Sequence, residues 1–179
     1  MQITYIITIN PIIEIEYLKI LLNSLNLQST KKFNVIFYNQ TKLAEESIFK
    51  QINMTCEFDY LFFSIPKEYF FGNYPLWDLY GFHSDMLKRG LLAEYFMSLH
   101  MEEFLDPDYT ETLLQSIEKS DIDIIFGNLH RTKYWIGDVA ELGTIRDANA
   151  FSTLISKLKM DKSRKWGLSK RPFFVSPES

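Results

Sequence analysis

Apolar residues fall along this chain in two alternating rhythms. Short runs of β-branched and aromatic residues are separated by longer stretches in which apolar positions recur every three or four residues. Ile3 to Ile9 is a run of the first kind, closed by the turn pair Asn10-Pro11, and predicts a first strand. Glu14 to Asn26 follows with Ile15, Leu18, Leu22 and Leu25 on one helical face. After a polar link, Gln28 to Lys32, the run Phe33 to Tyr38 predicts a second strand ending in Asn39-Gln40-Thr41. Leu43 to Ile52 reads as a second helix, and Tyr60 to Ile65 as a third strand stopped by Pro66. Two strand-helix-strand units in succession predict a parallel sheet joined by right-handed crossovers.

The pattern continues with an aromatic, irregular stretch, Lys67 to Pro75, expected to be a loop with a turn at Gly72-Asn73, and then a helix over Leu76 to Leu92. The stretch Glu94 to Tyr109 organises the rest. Its apolar run (Tyr95, Phe96, Met97, Leu99) predicts a central strand buried on both faces. That strand stops at His100 to Glu103, four residues of which three are metal-ligand types. Asp106-Pro107 reads as a helix start, an acceptor for free N–H groups followed by a residue that lacks one, and the helix is expected to run to Lys119. Polar ligands are thereby expected at the carboxyl end of a central strand, where open α/β sheets bind ligands. Asp121 to Asn128 predicts a further strand, with Gly127 allowing a kink, and Ala148 to Met160 a last helix.

Composition narrows the picture. With 179 residues, 46% of them hydrophobic, the chain is expected to form one domain, residues 1–179, with an αβα sandwich architecture and a mostly parallel central sheet. A net charge of −4 gives no reason to expect nucleic acid. The single cysteine, Cys56, has no internal disulfide partner. The first residues lack a basic leader, and no run reaches the roughly 18 apolar residues of a membrane span, so a soluble, cytoplasmic protein is expected. Ser-His-Asp and Cys-His nucleophile sets, phosphate-binding Gly-rich loops and paired-cysteine zinc sites have no counterpart in the sequence. His83 and His130 stand isolated and read as structural, hydrogen-bonded histidines. Lys157 to Arg171 carries seven basic residues against one acid. With Trp166, Phe173 and Phe174 it suits either a peripheral contact of residues 157–174 with anionic lipid or a solvated tail.

These elements carry a resemblance. The order strand, helix, Gln-Ser/Thr link, strand with a short polar turn, helix, strand, helix, then a Glu-Tyr strand running into acids, resembles the amino-terminal half of a family-2 type glycosyltransferase with the GT-A fold. In that family the strand ends Leu-Asp-x-Asp-Asp-x-Leu-x-Pro-x-Tyr, and the same frame here reads Leu99-His-Met-Glu-Glu-Phe-Leu-Asp-Pro-Asp-Tyr109. The match spans residues 3 to 130, a nucleotide-sugar-binding half; residues 131–179 are left as a short acceptor half with its basic tail.

The resemblance implies an enzyme that binds a nucleotide diphosphate sugar at the carboxyl edge of the sheet and moves the sugar to a saccharide, lipid-linked or other hydroxyl acceptor. It implies a divalent metal, Mn²⁺ or Mg²⁺, held by His100, Glu102 and Glu103, to neutralise the leaving diphosphate. Thr8, Asn10 and Asn39 are implied as nucleotide contacts, and Asp85, Lys88 and Arg89 as the helix positions near the diphosphate. Asp147 is the candidate catalytic base. Each position also has a plain structural reading: a solvated turn for Glu102 and Glu103, a solvated helix face for Lys88 and Arg89, a helix amino-cap for Asp147. The second function reading is accordingly a degenerate GT-A-like domain acting as a binding or assembly module.

Overall fold

The computed structural model describes residues 2–66, 70–71, 74–75, 79–119, 126–127, 140–158 and 171–172. The elements are β1 (Ile3–Ile9), α1 (Ile15–Asn26), β2 (Phe33–Asn39), α2 (Glu45–Ile52), β3 (Tyr60–Ser64), β4 (Phe70–Phe71), β5 (Tyr74–Pro75), α3 (Leu79–Lys88), β6 (Tyr95–His100), α4 (Tyr109–Glu118), β7 (Phe126–Gly127), a 3₁₀ turn (Ala140–Gly143), α5 (Ala148–Leu158) and β8 (Arg171–Pro172). Four strands form one parallel sheet in the order β3-β2-β1-β6. β4 pairs with β5, and β7 with β8, antiparallel. The expected α/β architecture with a parallel sheet is therefore what the chain adopts.

The alternation of side chains along each strand decides which helix covers which face. Ile3, Tyr5, Ile7 and Ile9 of β1 pack with Val35 and Phe37 of β2 against apolar residues of α1, α2 and α4. Ile6, Ile36 and Tyr38 point the other way and pack on Phe82 and Met86 of α3. Helices on both faces are what right-handed crossovers generate when the strand order reverses after β3. Tyr38 stacks on Phe82 at 4.0 Å between ring centroids, and Phe37 meets Phe49, Tyr60 and Phe62 on the opposite face. Burying such a ring contributes about 2–3 kcal/mol.

Four expectations are corrected. Among the described residues β6 is the end strand of the sheet, and its burial alternates along the strand where a run buried on both faces was expected. α3 stops at Lys88 rather than running to Leu92, because Gly90 adopts φ +68°. Its N–H bonds the Leu87 carbonyl at 2.9 Å while the Leu91 N–H bonds that of Met86 at 3.0 Å, the hydrogen-bond pattern of a glycine-terminated helix. α4 begins at Tyr109 and not at Asp106, which lies in the preceding turn with Pro107. Within the expected loop 67–75, Phe70–Phe71 and Tyr74–Pro75 pair as two short strands. Most of the expected strand Asp121–Asn128, His130, and the greater part of 157–174 lie outside the described residues. No helix among the described residues is long and apolar enough to cross a membrane.

Candidate functional site at the carboxyl edge of the sheet

The chain leaves β1 towards β2 on one side and reaches β6 on the other, so the order reverses between β1 and β6. A crevice outside the carboxyl ends of such a strand pair is the ordinary ligand position in an open α/β sheet. The register sets Thr8 beside His100 and beside Tyr38, and Ile9 beside Asn39. Thr8, Asn10, Asn39 and the turn from His100 to Glu103 are thus gathered at one edge, as the sequence led one to expect.

Their hydrogen bonds differ in kind. Asn39 is fully buried, and its amide is spent. Nδ2 donates to the Leu43 carbonyl at 2.9 Å and to Ser64 Oγ at 3.1 Å, while Oδ1 accepts the Thr41 N–H at 2.9 Å and the Thr41 hydroxyl at 2.7 Å. Asn10 uses Oδ1 to accept the Ile12 N–H at 2.9 Å, a local turn of the sort asparagine favours. Its own N–H points to Met101 Sδ at 3.1 Å, which ties the end of β1 to the residue after β6. Met101 is 1% exposed and anchors the turn in the core.

His100 and Glu102 are exposed. Glu103 closes the turn on itself: its carboxylate accepts the His100 N–H at 2.9 Å, and its N–H donates to the His100 carbonyl at 3.0 Å. Burial and then the nearby Glu103 charge push the Tyr109 phenol up to about 12. Among the described residues no three His, Cys, Asp or Glu side chains converge as they would in an all-protein metal site. As placed, His100, Glu102 and Glu103 are not gathered into such a set; a cation there would take its remaining ligands from a diphosphate.

Other candidates lie elsewhere. Asp85 and Arg89 form an ion pair at 2.8 Å near the carboxyl-terminal end of α3. That end leads into the start of β6, where the Ala93 N–H reaches Thr4 Oγ1 at 2.9 Å. Lys88 and Arg89 therefore sit by the amino ends of the strands, while the carboxyl edge is five residue steps of about 3.3 Å further along β6. Asp147 caps α5, its carboxylate accepting the Ala150 N–H at 2.8 Å. Its neighbour Arg146 bonds Asn23 Oδ1 near the carboxyl-terminal end of α1. A hollow of about 340 Å³, lined by Asn26, Phe49, Asn53, Met54, Glu57 and Arg146 among others, opens at this same end. Asn26 there already bonds the Thr55 carbonyl and the Glu57 N–H, each at 2.9 Å.

Several polar residues were not singled out from the sequence. Gln28 is buried between α1 and α4; its amide donates to the Ser24 and Asp106 carbonyls and accepts the N–H and hydroxyl of Thr110. It thus caps α4 in place of Asp106. Ser24 accepts the Leu105 N–H at 3.1 Å, pinning the segment after the 100–103 turn to α1. His83 is half-buried with Nε2 3.2 Å from Ser98 Oγ, the structural role expected for it, and burial lowers its pKa. Burial pushes the Cys56 thiol up to about 12, so it is a poor nucleophile.

The fold and this edge define the class: an α/β chain with a GT-A-like, mostly parallel sheet. Solved S. aureus TarS, residues 1–349, is similar with a TM-score of 0.52 at 15% identity over 69% of this chain and 34% of that one. TarS 1–349 in complex with UDP-GlcNAc is similar with a TM-score of 0.46 at 13% identity over 69% of this chain and 33% of that one. The chain spans about a third of the length of these solved chains. No protein-family model and no curated protein matches the sequence.

Proposed function

We propose that this chain is the nucleotide-sugar-binding part of a glycosyltransferase, taking a nucleotide diphosphate sugar at the carboxyl ends of β1, β2 and β6. The observation that carries this reading is the meeting of Thr8, Asn10 and the His100–Glu103 turn where the strand order reverses. In the transfer, an acceptor hydroxyl forms a bond to the anomeric carbon, the bond from that carbon to the diphosphate oxygen breaks, and the hydroxyl proton passes to a base. Asp147 is not carried forward as that base, since its carboxylate serves α5 beside the far end of α1. Because His100, Glu102 and Glu103 do not converge as three ligands, no step is routed through a cation. The acceptor class proposed is a saccharide or other hydroxyl compound, lipid-linked ones included, as in polysaccharide assembly.

The test is calorimetric titration of the full chain with UDP, UDP-GlcNAc and GDP, each in Mn²⁺ and in EDTA. Binding of one of them, lost when Thr8→Val and Asn10→Ala are combined, supports the reading; no binding of any overturns it. The spent amide of Asn39 and the position of Asp147 favour a second reading, a domain that binds without turnover. Saturable binding with no nucleotide release in the presence of saccharide acceptors would decide for it.

A further inference from the structure

We infer that the hollow at the carboxyl-terminal end of α1 is a second binding site, separate from the carboxyl edge of the sheet, and that the ligand it takes is a neutral saccharide. α1 has 12 residues, and its length of about 18 Å lies between the hollow and the edge proposed for the nucleotide. The inference is independent of the donor-binding reading.

The walls are fixed by groups that leave the opening itself unused. Buried Asn23 donates to the Leu142 carbonyl at 2.6 Å and to the Ile145 carbonyl at 2.7 Å, which ties the 142–146 segment to α1. Its Oδ1 accepts a bond from Arg146 Nη1, which also donates to the Gly143 carbonyl at 3.3 Å. Asn26 holds the 55–57 segment in the same way, through the Thr55 carbonyl and the Glu57 N–H. Asn53 stands at the cap of α2 in the left-handed conformation, at φ 50°.

The groups these anchors leave uncommitted are the ones that line the hollow. The other guanidinium N–H groups of Arg146, the Asn53 amide, the Thr55 hydroxyl and the Glu57 carboxylate have no hydrogen-bond partner among the described residues. Donors and acceptors are thus mixed on a backbone already in place, and a hydroxyl group both donates and accepts. Phe49 and Met54 add an apolar wall, which suits the C–H faces of a sugar ring. A volume of about 340 Å³ lies within the range of small-ligand pockets, which begins at about 300 Å³.

Charge decides against an ionic ligand. Arg146 is positive, and so is Lys31, whose ammonium bonds the Leu25 and Asn26 carbonyls at the end of α1. Against them stand Glu57, close enough to act on Lys31, and the carboxyl-terminal ends of α1 and α2, each presenting roughly half a negative charge. A diphosphate entering here meets Glu57 and two helix ends, and a cation meets Arg146 and Lys31. A neutral polyhydroxyl compound meets neither opposition.

The experiment is an amide NMR titration of the full chain with cellobiose, maltose and N,N′-diacetylchitobiose in the absence of nucleotide, and separately with UDP and with inorganic phosphate. The expected result is that one disaccharide shifts the amides of Asn53, Thr55, Glu57 and Arg146 and saturates with a Kd of about 1 mM, while UDP and phosphate leave those amides in place. Asn53→Gly combined with Thr55→Ala, in which glycine keeps the left-handed cap, should weaken that binding by at least about tenfold. Shifts at these amides from UDP or phosphate overturn the inference. So do disaccharide shifts confined to Thr8, Asn10 and the 100–103 turn, the absence of a saturable shift with any disaccharide, and wild-type affinity in the double variant. UDP shifts at Thr8, Asn10 and the 100–103 turn read the donor edge separately, so the failure of one reading is told from the failure of the other. The wild-type shifts need no variant and decide the matter even if the double variant fails to fold.

Discussion

Two polar clusters mark the two ends of α1, and they differ in what surrounds them. Beyond the carboxyl-terminal end, Gln28 is 4% exposed and every polar atom of its amide is paired within the protein. By the amino-terminal end, the His100–Glu103 turn presents His100 and Glu102 to water and closes on itself through an exposed hydrogen bond. A buried, satisfied network specifies structure, because each member removed leaves a partner stranded. An exposed turn with displaceable bonds is where a ligand can enter at small cost. The difference teaches that the residue type alone, an amide or a carboxylate at a strand or helix end, does not separate scaffold from site; the fate of its hydrogen bonds does.

The largest effect is expected from breaking the buried cluster. Gln28→Leu fits by size but strands the Thr110 N–H and hydroxyl and the Ser24 and Asp106 carbonyls. It should cost about 3 kcal/mol, seen as a lower midpoint in urea with α4 loosened, while nucleotide affinity at a temperature where the variant is folded stays unchanged. A loss under about 1 kcal/mol would put Gln28 in the same category as the exposed turn. Asn39→Asp is next. It restores the acid that the resembling family has at this place, but sets a carboxylate against the Leu43 carbonyl, to which the amide now donates. The expected cost is about 2 kcal/mol with no gain in nucleotide binding; tighter binding with unchanged stability would move Asn39 from scaffold to site.

The contrast also explains what the sequence could and could not convey. The strands β1 and β2 and the helices α1 and α2 were legible because helices cover both faces of these strands, which read as unbroken apolar runs between polar turns; β3 was legible from the same apolar run although Tyr60 and Leu61 are exposed. The gathering of Thr8, Asn10, Asn39 and His100 at one edge was legible too, since it follows from strand direction and order. Direction also removes Lys88 and Arg89 from that edge, and the error in placing them came from treating the helix before β6 as adjacent to the end of β6 rather than to its start. The cap of α4 was misread because Asp106-Pro107 satisfies the local rule for a helix start, while the acceptor that the Thr110 N–H found comes from Gln28, 82 residues away in sequence. Periodicity carries no information about such a partner. Gly90, by contrast, was a helix stop visible in the sequence, overridden by the apolar residues Leu91 and Leu92 that follow it and pack on the α3 side of the sheet.

Asp147 tests the exposed side of the comparison. Its carboxylate accepts one N–H at the start of α5, so Asp147→Ala should cost about 1 kcal/mol in thermal unfolding and leave nucleotide binding and any turnover intact. Loss of turnover with folding preserved would restore it as the catalytic base. His83 supplies a pH-dependent effect of smaller size. Burial lowers its pKa, so below about 6.5 the unfolded chain takes up the proton first and stability falls as pH falls. Between pH 7 and pH 5 the melting temperature of the wild type should therefore drop more steeply than that of His83→Gln. Equal slopes would mean that the imidazole charges freely beside Ser98.

The smallest effect is expected at Arg89, and its smallness is informative. The guanidinium is 56% exposed and pairs with Asp85 one helical turn back, an arrangement worth at most about 0.5 kcal/mol and weakened further by salt. Arg89→Ala should leave the melting temperature within a degree or so of the wild type and UDP affinity unchanged, because the strand's length separates it from the His100 turn. Electrostatic steering over that distance is screened at ordinary ionic strength, where the Debye length is about 8–10 Å. If Arg89→Ala instead weakened UDP binding by about tenfold in physiological salt, the nucleotide would have to lie by the amino ends of the strands. Thr8, Asn10 and the 100–103 turn would then join Gln28 as scaffold, and the hollow lined by Asn26, Asn53 and Arg146 would become the place to look for the ligand.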